Sequence, residues 1–184
     1  ETQGESSISI GYQAGQFEQA SSSISLGYQA GQFTQENNSI SLGYQAGQYG
    51  QLNQSIAIGE LAGQYHQRYL SIAIGSQSAV YSQGEYSLAI GQYSANTGQG
   101  IYSVAIGTEA GSVDQGNQAI SVGYLSGNYN QGDSAIAIGL YSGKVNQAVD
   151  AVAIGDLAGV TNQGENSIAI GYEAGTDNQG SNSV

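Results

Sequence analysis

Few side chains in this 184-residue chain could carry acid–base or nucleophilic chemistry. His66 is the single histidine, Arg68 and Lys144 are the two basic residues, and cysteine is absent. A Ser-His-Asp or Cys-His set needs a histidine held against a nucleophile by a third group. His66 instead shares its place in the repeating pattern described below with Glu18, Thr34, Gly50, Ser82, Asp114 and Asn130, as a solvated position would. The acids scatter as well: Glu60 and Asp156, Glu109 and Glu173, and Glu85, Asp133 and Glu165 fall at three different offsets. A calcium-binding roll places aspartate at one fixed offset in every turn. The sequence therefore assigns no catalytic residue, no metal site and no cofactor. Fourteen acids against two bases give a net charge of −12. Such a surface repels phosphate, which excludes nucleic acid as a partner and disfavours anionic membranes. No apolar run approaches the roughly 18 residues of a span, so direct membrane insertion of this segment is not expected.

What the sequence offers is contact chemistry. Tyr12, Tyr28 and Tyr44 recur at one spacing, and Phe17, Phe33, Tyr49, Tyr65 and Tyr81 form a second series. On successive turns of a stack they form aromatic stripes, suited to sugar rings or protein partners, or to stabilising the stack and covering a subunit seam. A glutamine recurs too, from Gln3, Gln19 and Gln35 through to Gln179. It reads either as an amide ladder between turns about 4.8 Å apart or as a ligand-binding stripe.

The elements that position these residues follow from one repeat. Glycine falls every 16 residues from Gly11 to Gly171, without insertion or deletion. Ile, Leu or Val stands three and one before each glycine, as in Ile8 and Ile10 or Ile72 and Ile74, and only Ser or Ala stands two and four before it. Strict alternation is a strand signal. Sixteen residues hold about two short strands and two turns, so the chain reads as an all-β parallel β-solenoid of 11 coils. Helical solenoid units are longer and tolerate glycine poorly. Three after the glycine comes Ala or Ser, then Gly, or Ala at Ala79 and Ala95, which marks a tight bend or a close backbone approach. Gln-Gly, as in Gln83-Gly84, reads as the second turn. The whole of 1–184 reads as a single repeat domain. Without Met, and without caps to close the stack, it is expected to be a fragment of a longer protein.

Two large aliphatics per coil make a thin core, so a second buried surface is expected. With the aliphatic columns assigned to the coil interior, the small column faces outward: Ser9, Ser25, Ser41, Ala57, Ala73, Ala89, Ala105, Ser121, Ala137, Ala153 and Ala169. A solvated strand face would accept Thr, Lys or Glu, and none occurs there. Another backbone must lie close to it: self-association through this face is the expectation, and a narrow gap within the chain is the alternative.

Segments such as Asn166-Ser167-Ile168-Ala169-Ile170-Gly171 and Ser103-Val104-Ala105-Ile106-Gly107 resemble the head repeat of YadA-like trimeric autotransporter adhesins, whose usual repeat is somewhat shorter. The resemblance extends over every unit. It implies a left-handed parallel β-roll, three chains side by side, with the Ser/Ala column as the candidate trimer interface. It also implies an extracellular place on a cell or virion surface and attachment to a host surface protein or glycan. The Gly-Tyr-Gln-Ala-Gly variant at Gly11 to Gly15, Gly27 to Gly31 and Gly43 to Gly47 is similar to repeats in fibres of phages and large DNA viruses. The reading that follows is a structural, adhesive rod rather than an enzyme. The alternative is an ice-binding solenoid, since the 16-residue period and the Gly-Tyr step also resemble ice-nucleation repeats. The Thr-x-Thr ladders of those repeats are missing here, and Thr34, Thr97 and Thr108 are sporadic.

Overall fold

The computed structural model describes residues 3–184, and all of its regular structure is parallel β. Twenty strands of three residues each build two sheets. One has eleven strands, from Ile8–Ile10 to Ile168–Ile170, and the other nine, from Phe17–Gln19 to Val145–Gln147. Each strand pairs with its equivalent one coil away, so Ile8 faces Ile24, Ser9 faces Ser25 and Phe17 faces Phe33. Isolated bridges Val145–Thr161 and Thr161–Asp177 carry the second sheet onward in the C-terminal coils. The chain is thus a β-solenoid with a 16-residue turn, as the glycine period predicts.

The corners are zipped together as closely as the strands. The Gly27 N–H donates to the Ile10 carbonyl at 2.9 Å, Gln29 N–H to Tyr12 at 2.8 Å, and Gly31 N–H to Ala46 at 2.9 Å. This stacking explains the invariant glycine that follows the aliphatic strand. At Gly59, with φ at +128°, an added Cβ would lie 2.6 Å from the Gly75 carbonyl oxygen of the next coil. The second turn falls one step later than the sequence suggests. Gln83 closes its strand, Gly84 follows, and the turn itself is Glu85-Tyr86.

The interior inverts the sequence expectation for the aliphatic strand. Ser25, Ser41, Ala57, Ala73, Ala89, Ala105, Ser121, Ala137 and Ala153 are fully enclosed within the single chain; Ala169 is nearly so and Ser9, in the first coil, partly. Ile8, Ile10, Ile24, Leu26, Leu42, Ile106, Ile138, Ile168 and Ile170 are exposed instead, and their counterparts in the remaining coils are half-buried. A subunit interface on the Ser/Ala column is therefore ruled out, and the narrow gap within the chain is what selects small residues there. The cause is thickness. A Cβ on Gly31 would come within 2.5 Å of the Ser25 hydroxyl oxygen and 3.0 Å of the Gln35 side chain. Between sheets so close there is no room for Ile, so the larger side chain points out.

The space that remains is filled by glutamine. Gln35, Gln51, Gln67 and Gln83 are fully buried. The Gln35 amide donates to Gln51 Oε1 at 3.0 Å and to the Ile24 carbonyl at 3.0 Å, while the Ser25 hydroxyl donates to Gln35 Oε1 at 2.6 Å. Buried polar groups are tolerable only when paired in this way. The ladder runs from Gln19 to Gln67 and again from Gln99 to Gln179. Between them, Gln83 Oε1 and Gln99 Oε1 are buried without a partner. These are the two coils in which Ala79 and Ala95 replace the glycine, at φ +47° and +44°. Their methyl groups occupy the space against which Gln67 and Gln115 pack at Gly63 and Gly111. In both coils the residue facing the glutamine is alanine, Ala73 and Ala89, as in five other coils, whereas Ser9, Ser25, Ser41 and Ser121 donate to theirs.

Candidate interaction surfaces

The aliphatic sheet presents two parallel ridges of Ile, Leu and Val to its outer side. The ridges are continuous because the register is unshifted: Leu88 lies beside Ile72 and Val104, and Ile90 beside Ile74 and Ile106. Isolated exposed aliphatics are ordinary, but a contiguous apolar band along a molecule marks an interaction surface. With the Ser/Ala column inside, it offers no flat outer surface that could stand in for the missing Thr-x-Thr ladders of the ice-binding alternative.

The aromatic series stand where the sequence places them. Tyr12, Tyr28 and Tyr44 stack at 5.2 and 5.3 Å between ring centres and are 62%, 43% and 49% exposed. Phe17, Phe33, Tyr49, Tyr65 and Tyr81 stack at 5.0–5.2 Å with interplanar angles of 2–7°. A sugar ring stacks on an aromatic face, and here the faces are already occupied by neighbouring rings. What the ladders offer outward is ring edges and phenol hydroxyls. A separate stacked pair outside both series, Tyr86 and Tyr102 at 4.9 Å, lies on the turn after the glutamine and escaped the sequence reading. Desolvation, then the neighbouring Tyr102 and Tyr69 phenols and Glu85, raise the Tyr86 phenol above its ordinary value.

Two further features were also missed. Gln16, Gln32, Gln48 and Gln64 form a second amide ladder, largely buried, with donor–acceptor distances of 3.0, 2.9 and 3.0 Å, which ends where Val80 takes the position. The recurrent Gln-Ala-Gly-Gln was its signal. Ser21, Ser22, Asn37, Asn38, Asn53, Gln54 and Tyr69 line a shallow polar groove of about 410 Å³ across four coils. His66 is exposed at φ +57°, and among the described residues no three His, Cys, Asp or Glu side chains are placed to hold a metal. Among the described residues no helix is long and apolar enough to cross a membrane.

With small residues in, aliphatics out and one invariant glycine per turn, each coil has a defined signature. Residues 69–94, 147–174 and 163–184 match the family model of the YadA head domain repeat. These segments carry YadA head repeats. No curated protein and no solved structure matches the chain. The matched YadA-type segments include Ser71-Ile72-Ala73-Ile74-Gly75 and Ser167-Ile168-Ala169-Ile170-Gly171. They share the solenoid and the register with the coils between them, so one architecture runs through the tandem array. The family and the fold together describe a structural module of the adhesin-head type.

Proposed function

We propose that this protein is a rigid, adhesive rod, three copies of which associate side by side through the outward aliphatic ridges. The observation that carries this reading is the unbroken band of Ile, Leu and Val along all eleven strands of one sheet. An unpartnered band of that length is costly in water, and covering it supplies the hydrophobic burial that the thin interior does not. The match to YadA head repeats supports the three-fold arrangement and a place outside the cell, on a bacterial or virion surface. Attachment to a host protein or glycan then falls to the faces left uncovered. The polar groove from Ser21 to Tyr69 offers amides for sugar hydroxyls, and the tyrosine ladders offer phenol edges. The decisive measurement is solution mass by sedimentation equilibrium. Three times the chain mass is expected. A monomer at micromolar concentration would refute the assembly.

A further inference from the structure

Tyr65 and Tyr81 are the last two rings of the five-ring ladder, 5.2 Å apart and only 2° from parallel. Tyr65 is half-buried and Tyr81 is 50% exposed, so both can be reached from solvent. Their backbones are fixed as register partners on adjacent strands. We propose that this pair is a site of oxidative tyrosine coupling, its reagent a haem peroxidase with hydrogen peroxide.

Each phenol gives up its hydroxyl hydrogen atom to the oxidised haem, leaving a phenoxyl radical. The two radicals join through a carbon–carbon bond between ring positions ortho to oxygen. The hydrogens on those carbons then return to the oxygens, which restores both aromatic rings. Two tyrosines and one peroxide thus give one dityrosine and two waters. The bond forms between the facing π-lobes of the two ortho carbons, and rearomatisation then turns the rings from stacked to end-to-end, a rotation that the exposed Tyr81 side chain is free to make. Holding the two radicals on adjacent strands makes their meeting effectively intramolecular and lets it outrun coupling between molecules. Tyr129, at 47% exposure, is as accessible as Tyr81, but its register neighbours are Val113 and Val145. It has no partner in its own ladder.

The position of the pair is informative. The coils joined by Tyr65 and Tyr81 are those between which the internal ladder lacks its Gln67–Gln83 rung, Gln83 Oε1 being left unpartnered. A covalent bond there would bridge the interruption from outside. The site lies on the glutamine sheet, not on the aliphatic ridges, so it stands apart from the self-association reading.

The sequence supplies its own assay. Trypsin cuts after Arg68 and Lys144 only, and Tyr65–Tyr81 is the one stacked tyrosine pair that spans Arg68. The folded, dilute chain is treated with peroxidase and peroxide, quenched, denatured and digested. Fragments 1–68 and 69–144 are expected to run as one joined species that shows dityrosine fluorescence and lacks two hydrogens. Tyr81→Phe keeps the ring stack and should abolish the joined species, as should oxidation in denaturant. Fragments that stay separate would overturn the proposal. So would a joined species that survives Tyr81→Phe, or one that forms only in proportion to protein concentration.

Discussion

Backbone conformation, more than side-chain chemistry, decides which residues each coil accepts. Each full coil holds five positions at positive φ, and three of them are filled mostly by residues other than glycine, such as Gln29 at +53°, Thr34 at +51° and Asn38 at +56°. The column of Thr34 and His66 varies in side chain because its constraint is the left-handed conformation, which glycine and asparagine adopt most readily. Gly50, Gly98, Asn130, Asn146, Asn162 and Asn178 fill it accordingly, and the last four bond to one another at 3.0–3.1 Å. Thr34 is β-branched and the least suited, so Thr34→Asn should raise unfolding stability by about 1 kcal/mol in urea titration. Ala79 and Ala95 make a sharper case. Ala79→Gly with Ala95→Gly removes two strained methyls and lets Gln83 and Gln99 return to the ladder. The gain in hydrogen bonds and relieved strain exceeds the added chain entropy of glycine, and we expect a net stabilisation of about 1–2 kcal/mol. Ala73→Ser alone should destabilise, because its hydroxyl meets the Ala79 methyl. Combined with Ala79→Gly, the same serine should stabilise by capping Gln83. This reversal of sign, read from denaturation midpoints, tests the coupling.

At the scale of the strand, two neighbouring residues predict opposite behaviour. Ile106 points out and Ala105 points in. Ile106→Glu should leave β-structure and chain stability within about 0.5 kcal/mol in the monomer while shifting the sedimentation mass away from the trimer. Ala105→Glu places an unpaired carboxylate between sheets that have no room for a Ser–methyl contact, and should cost several kcal/mol and unfold the coils around it. Had the small face been the seam, both outcomes would be exchanged. The period, the strands, the parallel register and the glutamine ladder were all legible in the sequence, because each is a matter of spacing. The facing of Ile72 and Ala73 was not. Alternation states that two columns point to opposite sides, and the usual rule that large aliphatics go inside then chose the wrong one. The missing information was the separation of the sheets, which is set by the corners near Gly31 and Gly63 and not by the strand residues themselves. The aromatic columns were legible in position. Their mutual stacking, which hides the ring faces, depends on side-chain rotation that spacing does not fix.

As a whole, the molecule is an acidic rod. Eleven strands at about 4.8 Å spacing give a length near 53 Å, and small-angle scattering should return that extended form, not a sphere. Because the chain carries a net charge of −12, parallel association brings like charges together. Raising salt should therefore strengthen the assembly, and low ionic strength should shift sedimentation profiles toward the single chain. The unshifted register has one more consequence. No coil touches anything in its own chain beyond the coils on either side, and each presents its successor with the same ledge it received. Removing residues 92–107 as a unit would bring Gly91 against Thr108 and leave each ladder one rung shorter. For a lineage that must alter how far it reaches from its surface, length becomes a heritable dial: recombination between misaligned repeats can turn it one notch at a time, and each product arrives already knowing how to fold.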